Sequence, residues 1–255
     1  MEKSRLELTP KKIGILPLKG FALMAYASTV EPFRAANVLS GNPLYEVINI
    51  GLHNGPIASS GAGSVSPQAT IKDKIKVDYL FVVAGGNPVT YENKAVFAWL
   101  GRMSRFGTRL GGVSAGPAIL AKAGLMDGRR MTVHWDHAEA LSEILPHLMV
   151  ERTLYVIDRD RFTCAGGTAA LDLMLGLISN HHGPQFASLV SDWFLHTEIR
   201  PSIGPQRSGM AARVGSTNGV ILDAVRTMEN HIGNPVSLGT LAQNADISPR
   251  QLNRL

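Results

Sequence analysis

Apolar and polar residues follow two rhythms along this chain, and the rhythm changes near residue 197. "KKIGILPL" (11–18) and "VDYLFVVAGG" (77–86) are compact, β-branched apolar runs, the second halted by two glycines, and both predict buried strands. "LYEVINIGL" (44–52) alternates in the manner of a strand, and "NGPIASSGAGS" (54–64) is rich in turn formers. Helical patterning intervenes. "GFALMAYASTVEPFRAANVLSG" (20–41) reads as a helix in which Pro32 is expected at a break or in a first turn. "NKAVFAWLGRMSRFG" (93–107) sets Val96, Leu100 and Met103 on one side of a helix. "TRLGGVS" (108–114) is a short strand leading into the helix "AGPAILAKAG" (115–124). "RTLYVID" and "RFTCAGG" are two strands joined at Arg159-Asp160, followed by the apolar helices "TAALDLMLGLISNHHG" and "PQFASLVSDWFLH".

Strands alternating with helices predict an α/β fold: a mostly parallel central sheet with flanking helices. Ligands of such sheets sit beyond the carboxyl ends of the strands. Both "VVAGG" and "GGVSAG" turn at such ends, so a shared site is expected there.

After residue 197 the strands cease. "EIRPSIGPQRSGMAARVGSTNG" has no strong apolar period, and residues 198–217 read as a linker. The remainder, 218–255, is all helical. Ser237 can cap "LGTLAQNA", Asp246-Ile247 makes a turn, and Ser248-Pro249 supplies a cap with proline at the first helical position. Two short helices across such a turn suit a helix-turn-helix. The second would present Arg250, Gln251, Asn253 and Arg254, residue types that read base edges and phosphates. An ordinary helical hairpin is the plainer alternative. The chain stops at Leu255 within that second helix, so it is expected to be part of a longer protein.

Composition narrows the function classes. Of 255 residues, 45% are hydrophobic and 18% charged, which is globular rather than disordered. The opening "MEKSRLELTPKK" lacks the apolar core of a signal peptide, and no later run has the length of a membrane helix. A cytoplasmic protein without a membrane partner is expected. The single cysteine, Cys164, rules out an internal disulfide framework and a multi-cysteine zinc site. The net charge of +5 is mild, and residues 198–255 carry only +2 of it, so charge permits DNA binding without arguing for it.

Gly112-Val113-Ser114-Ala115-Gly116 matches G-x-S-x-G, the nucleophile elbow of serine hydrolases. A serine hydroxyl needs an oriented base before it attacks anything. Asp158 or Asp172, followed by His181, His182 or His196, satisfies the α/β-hydrolase order only nominally. His181 and His182 read as a solvated helix end, and Cys164 as a buried small hydrophobe. No metal-ligand set and no cofactor are expected.

Three segments carry a resemblance: "VSAGPAILAKAGLMDGRRMTVHW", "DRDRFTCAGGTAALDLMLGLI" and "SLGTLAQNADISPRQLNRL". Together they resemble GlxA-like regulators, in which a ThiJ/PfpI domain of the class I glutamine amidotransferase-like, flavodoxin-like fold (here 1–197) precedes an AraC-type helix-turn-helix region (218–255). The resemblance implies a homodimeric transcription regulator with operator DNA and a small-molecule effector as partners. Quaternary amines, amino acids or their breakdown products are the implied effector class. Catalytic relatives place a cysteine at the elbow, a histidine downstream and an acid on the first helix. Here Ser114 stands at the elbow, His134 matches the histidine, and the acid would fall near Ala25, so no catalytic residue is expected.

The crevice expected to hold the effector comprises Gly85, Gly86, Asn87, Ser114, Ala115, His134 and Trp135. Ser114 and the glycines would take a carboxylate, and Trp135 a cationic amine. The plainer alternatives are a turn serine and a packed tryptophan. A ThiJ/PfpI-type hydrolase or amidase using Ser114 and His134 is the alternative function. AraC-type domains usually pair two helix-turn-helix units, so this chain alone is expected to bind operator DNA weakly or not at all.

Overall fold

The computed structural model describes residues 9–231 and 233–255 and divides into two compact units, Met1–Gln206 and Arg207–Leu255. Eleven strands lie in the first unit: β1 Lys11–Pro17, β2 Tyr45–Gly51, β3 Ile57–Ala58, β4 Ser64–Val65, β5 Ala69–Thr70, β6 Tyr79–Ala84, β7 Arg109–Ser114, β8 Arg130–Thr132, β9 Met149–Glu151, β10 Tyr155–Asp158 and β11 Arg161–Cys164. Its helices are α1 Leu23–Ser40, α2 Lys94–Arg105, α3 Gly116–Lys122, α4 Trp135–Ile144, α5 Ala169–His182 and α6 Pro184–Trp193. Seven strands form the main sheet in the order β10-β11-β7-β6-β1-β2-β5, parallel throughout except where β10 turns back on β11. The expected α/β sheet is therefore observed.

Strand periodicity explains the two cores. Successive side chains of β6 point to opposite faces. Tyr79, Phe81 and Val83 join Ile13, Phe33, Leu173 and Ile178 on the α1, α5 and α6 side. Leu80, Val82 and Ala84 join Leu16, Val96, Leu100 and Ile119 on the α2 and α3 side. Every residue of β6 is buried, which is why this segment reads as an unbroken apolar run.

The structure departs from the apolar pattern in three places. Pro32 lies inside α1 and breaks nothing: its ring is buried beside Phe33, and core packing outweighs the one helical hydrogen bond it cannot donate. The small parallel pair β8–β9 and the helix α4 between them have no strong apolar run. The third departure is residues 198–206, expected as linker, which remain bound to the sheet unit. Arg200 holds the fully buried Asp172 through its backbone N (2.9 Å), Nε (3.0 Å) and Nη2 (2.6 Å). Leu154 N donates to Ser202 O at 2.9 Å. The Gln206 amide donates to Thr132 Oγ1, Val133 O and Thr153 O at 2.8–3.1 Å. Polar side chains make this attachment, so a search for apolar periodicity passes over it.

The second unit is helical: α7 Met210–Val214, α8 Gly219–Asn230, α9 Leu238–Asn244 and α10 Pro249–Leu252. The helix α7 falls within the expected linker. Asn218, Ser237 and Ser248 cap the next three helices, Ser248 through a capping box with Gln251. Asp246 (φ 52°) makes the turn between α9 and α10, and Leu241 and Ala242 are buried. Arg213 pairs with Glu229 at 2.8 Å, tying α7 to α8.

His181 is not the solvated helix end expected of it. Its Nδ1 meets the Tyr45 hydroxyl at 2.8 Å and its Nε2 the Tyr79 hydroxyl at 2.9 Å. Desolvation, aided by the positive charge of Lys11, pushes its pKa from 6.5 down to about 4. The unfolded chain therefore takes up this proton first. The stability His181 contributes is complete above pH 6.5 and is lost as pH falls toward 4. We expect about 1–2 kcal/mol of this loss, after allowance for solvent screening at a half-buried site, and a flatter profile in His181→Gln, read by denaturant titration between pH 7.5 and 4.5. Separately, Asp172→Ala should cost about 3 kcal/mol, because it strands Arg200 and His196. The same titration at neutral pH reads that loss.

Candidate functional site

The crevice opens where adjacent parallel strands end. Ala84, last of β6, pairs in register with Ser114, last of β7, and Gly85-Gly86 continue beyond. A cavity of about 510 Å3 lies there, lined by Ala22, Ser60, Gly85, Gly86, Asn87, Val89, Ser114, His134, Asp136, His137 and Ala140. Asn87 Oδ1 accepts from Val89 N at 3.0 Å and so shapes the turn at Pro88–Thr90. The Lys122 ammonium donates to Val89 O and secures this turn to α3.

Ser114 has φ 62°, a left-handed conformation that costs a non-glycine residue about 1–3 kcal/mol. The turn is held by Ala115 N, which donates to Ala84 O at 3.2 Å. The flanking glycines are steric requirements of the same turn. A Cβ on Gly116 would lie 2.0 Å from Val82 O, and one on Gly112 would lie 2.4 Å from Pro117 N. G-x-S-x-G is thus dictated by a helix leaving a buried strand at close quarters. The pattern specifies an elbow and leaves its chemistry open.

His134 stands over the elbow, its backbone N donating to Ser114 O at 3.3 Å. It also caps α4: its Nδ1 accepts from Asp136 N at 3.3 Å. An N–H donor must meet a lone pair, so Nδ1 is unprotonated and the neutral ring carries its proton on Nε2. Desolvation lowers the His134 pKa, against a smaller opposing pull from Asp136, which keeps the ring neutral near pH 7. In this arrangement the Nδ1 lone pair is taken by the helix cap and Nε2 carries the proton, so the ring as placed is a hydrogen-bond donor toward the cavity.

The acids that sequence order allows are committed elsewhere. Asp172 is saturated by Arg200 and by His196 Nε2 at 2.9 Å. Asp158 accepts from Arg130 N and Arg159 Nε, both at 2.9 Å. Ala25 is fully buried and offers no charge.

Of the residues expected in the crevice, Gly85, Gly86, Asn87, Ser114 and His134 line this cavity and two others do not. Ala115 is fully buried, with its N–H spent on the sheet. Trp135 points instead into a smaller cavity of about 210 Å3, bounded by Gly166, Gly167, Thr168, Arg200 and Gln206, with His134 on the wall between the two. The reason is helical geometry: Trp135 begins α4 one residue after its cap, and a single residue turns a side chain by about 100°. Asp136 and His137 face the main cavity and were missed. The signal was present as "HWDH", a histidine followed two and three residues later by Asp and His. Cys164 is fully buried, and burial pushes its thiol up to about 12, against weaker backbone hydrogen bonds from Gly166 and Ser114, so it is unreactive as expected.

In the second unit Arg250, Asn253 and Arg254 are exposed on and after α10. Gln251 is also exposed, yet its Oε1 accepts from Ser248 N at 2.8 Å and from Ser248 Oγ at 2.9 Å. Its carbonyl is engaged in the capping box.

Comparison with known proteins places this geometry. Residues 11–180 match the DJ-1/PfpI family. The HTH-type transcriptional regulator GlxA of Rhizobium meliloti is 41% identical over 246 residues, 96% of this chain and 76% of the relative. The HTH-type transcriptional regulator CdhR of Pseudomonas aeruginosa is 41% identical over 240 residues, 94% of this chain and 71% of the relative. The crystal structure of an AraC family transcriptional regulator from Pseudomonas putida superposes with a TM-score of 0.66 at 22% identity, covering 72% of this chain and all of that one, a likeness of fold. The chain belongs to the DJ-1/PfpI family and, within it, to the GlxA-like HTH-type transcriptional regulators.

Proposed function

We propose that this protein is an effector-responsive transcription regulator whose DJ-1/PfpI unit binds a small metabolite without transforming it. The observation carrying this reading is the engaged state of His134. With Nδ1 capping α4 and the proton on Nε2, Ser114 has no base, and an elbow without a base is a hydrogen-bonding group at the floor of a crevice. Ser114 Oγ, the polar edge formed by Gly85, Gly86 and Asn87, and the neutral His134 ring would receive a carboxylate-bearing metabolite such as an amino acid or betaine. The cation-holding role expected of Trp135 does not carry into this cavity.

The rival reading, hydrolase or amidase chemistry at Ser114, draws support from its strained φ of 62°, a feature that active sites share. A screen of carnitine, betaines, choline, amino acids and small acids by thermal shift separates the two when each hit is recovered for mass analysis. A ligand at 100 times its Kd should add about 2.7 kcal/mol of stability, a shift of several degrees. We expect the hit to return unchanged and Ser114→Ala to weaken it by about 5- to 10-fold, the worth of one hydrogen bond. A chemically converted hit would favour the enzyme.

The α9–turn–α10 segment is the proposed DNA-contacting part, with Arg250 and Arg254 as its exposed cations. Binding must favour one arrangement of the regulator, commonly a dimer on a two-fold operator, for the effector to matter. Arg250→Ala and Arg254→Ala are each expected to reduce the slope of log affinity against log salt by about 1, measured by gel shift across a salt series. Unchanged slopes would remove these arginines from the interface.

A further inference from the structure

The main cavity holds a side-chain cluster of which the effector reading uses only His134. His134, Asp136 and His137 each present a ligand-capable atom, and these three atoms lie within 4.8 Å of one another. All three residues line the cavity that contains Ser114. The His134 and His137 rings stand 5.7 Å apart at 49°, side by side at the start of α4. Among the described residues Asp136 forms no salt bridge with an arginine, a lysine or either ring. Three ligand-bearing side chains therefore converge, linked by the cap that Asp136 N donates to His134 Nδ1.

From this convergence the geometry points to a divalent transition-metal site, of the zinc class, formed by His134, Asp136 and His137 with its open positions facing Ser114. Two imidazoles and one carboxylate are borderline nitrogen and oxygen ligands that suit Zn2+, Co2+ or Ni2+ and not Ca2+ or Mg2+, which take oxygen. Around a tetrahedral zinc, neighbouring ligand atoms sit ~3.3 Å apart. Closing from 4.8 Å would be made by side-chain rotation at the start of α4. Coordination through the second ring nitrogen of His134 moves the ring proton to Nδ1 and gives up the capping bond, at 3.3 Å the longest side-chain cap in the described helices. The Asp136 charge offsets the unfavourable field that a helix N-terminus presents to a cation. Three protein ligands leave at least one position for an outside oxygen, as in sites where metal receives a ligand. The metal would then join the effector's carboxylate to α4.

The test needs no effector. The whole 255-residue chain, stripped with a chelator, is titrated with Zn2+ in competition with a chromophoric chelator, and with Co2+ to read its visible absorption. One ion per chain with micromolar or tighter affinity is expected, together with a Co2+ band typical of a four- or five-coordinate site. His137→Ala and Asp136→Asn should weaken binding by about tenfold or more. His147→Asn, which alters an exposed His–Asp pair elsewhere, should leave it unchanged. Circular dichroism checks the fold, and the near-isosteric Asp136→Asn decides the matter should His137→Ala misfold. Zinc binding weaker than about 100 μM, or undiminished in both variants, would overturn the site. Because no metabolite is present, that failure would leave the effector reading standing, and a failed metabolite screen would leave the metal site standing.

Discussion

The close approach of α3 to β6 governs the rest of the crevice. Gly116 opens α3 so near the neighbouring strand that Val82 O occupies the space a side chain would need. That contact requires glycine at 116, and the packing of β7 against Pro117 requires it at 112. Between them Ser114 is forced to a positive φ, which lifts its side chain out of the sheet line toward the cavity. The strain is sustained because the β7 ladder and the bond from Ala115 N to Ala84 O over-determine the backbone.

The same elbow organises its surroundings. Ser114 O receives His134 N, which positions the cap of α4 and with it Asp136 and His137. His134 is consequently fixed by two short-range demands, the bond to the elbow and the cap of its own helix. These demands place Nδ1 as the acceptor of the cap. A triad histidine has its Nδ1–H held by an acid, whereas here Nδ1 faces a backbone N–H.

A second organising group is Asp172, buried on α5 and saturated by His196 and Arg200. Its charge fastens the chain between α6 and the helical unit to the sheet unit. Gln206 extends the fastening to Thr132 and Val133, immediately before His134. The segment leaving the sheet unit is therefore bonded to the strand that presents the crevice histidine, a local connection made wholly of polar contacts.

What the sequence determined by itself was whatever depends on neighbours along the chain. The apolar run of β6, the strand β1, the helices α2 and α5, the caps at Ser237 and Ser248 and the elbow glycines follow from periodicity and local sterics, and all were legible. Gly85, Gly86 and Ser114 line one cavity because strand ends of a parallel sheet converge, and His134, which the family resemblance pointed to, lines it as well. Tertiary structure decided what depends on partners distant in sequence. Pro32 could stay in its helix because core packing outweighed one bond, and residues 198–206 left the linker because Asp172 and Thr132 lay waiting for Arg200 and Gln206. His181 became a half-buried, neutral bridge because β2 and β6 bring Tyr45 and Tyr79 to it. Trp135 and Asp136, adjacent in the chain, parted into different cavities because a helix begins between His134 and them. Local pattern carries element and turn; the charge states and the facing of side chains arise only when burial and distant hydrogen bonds are in place.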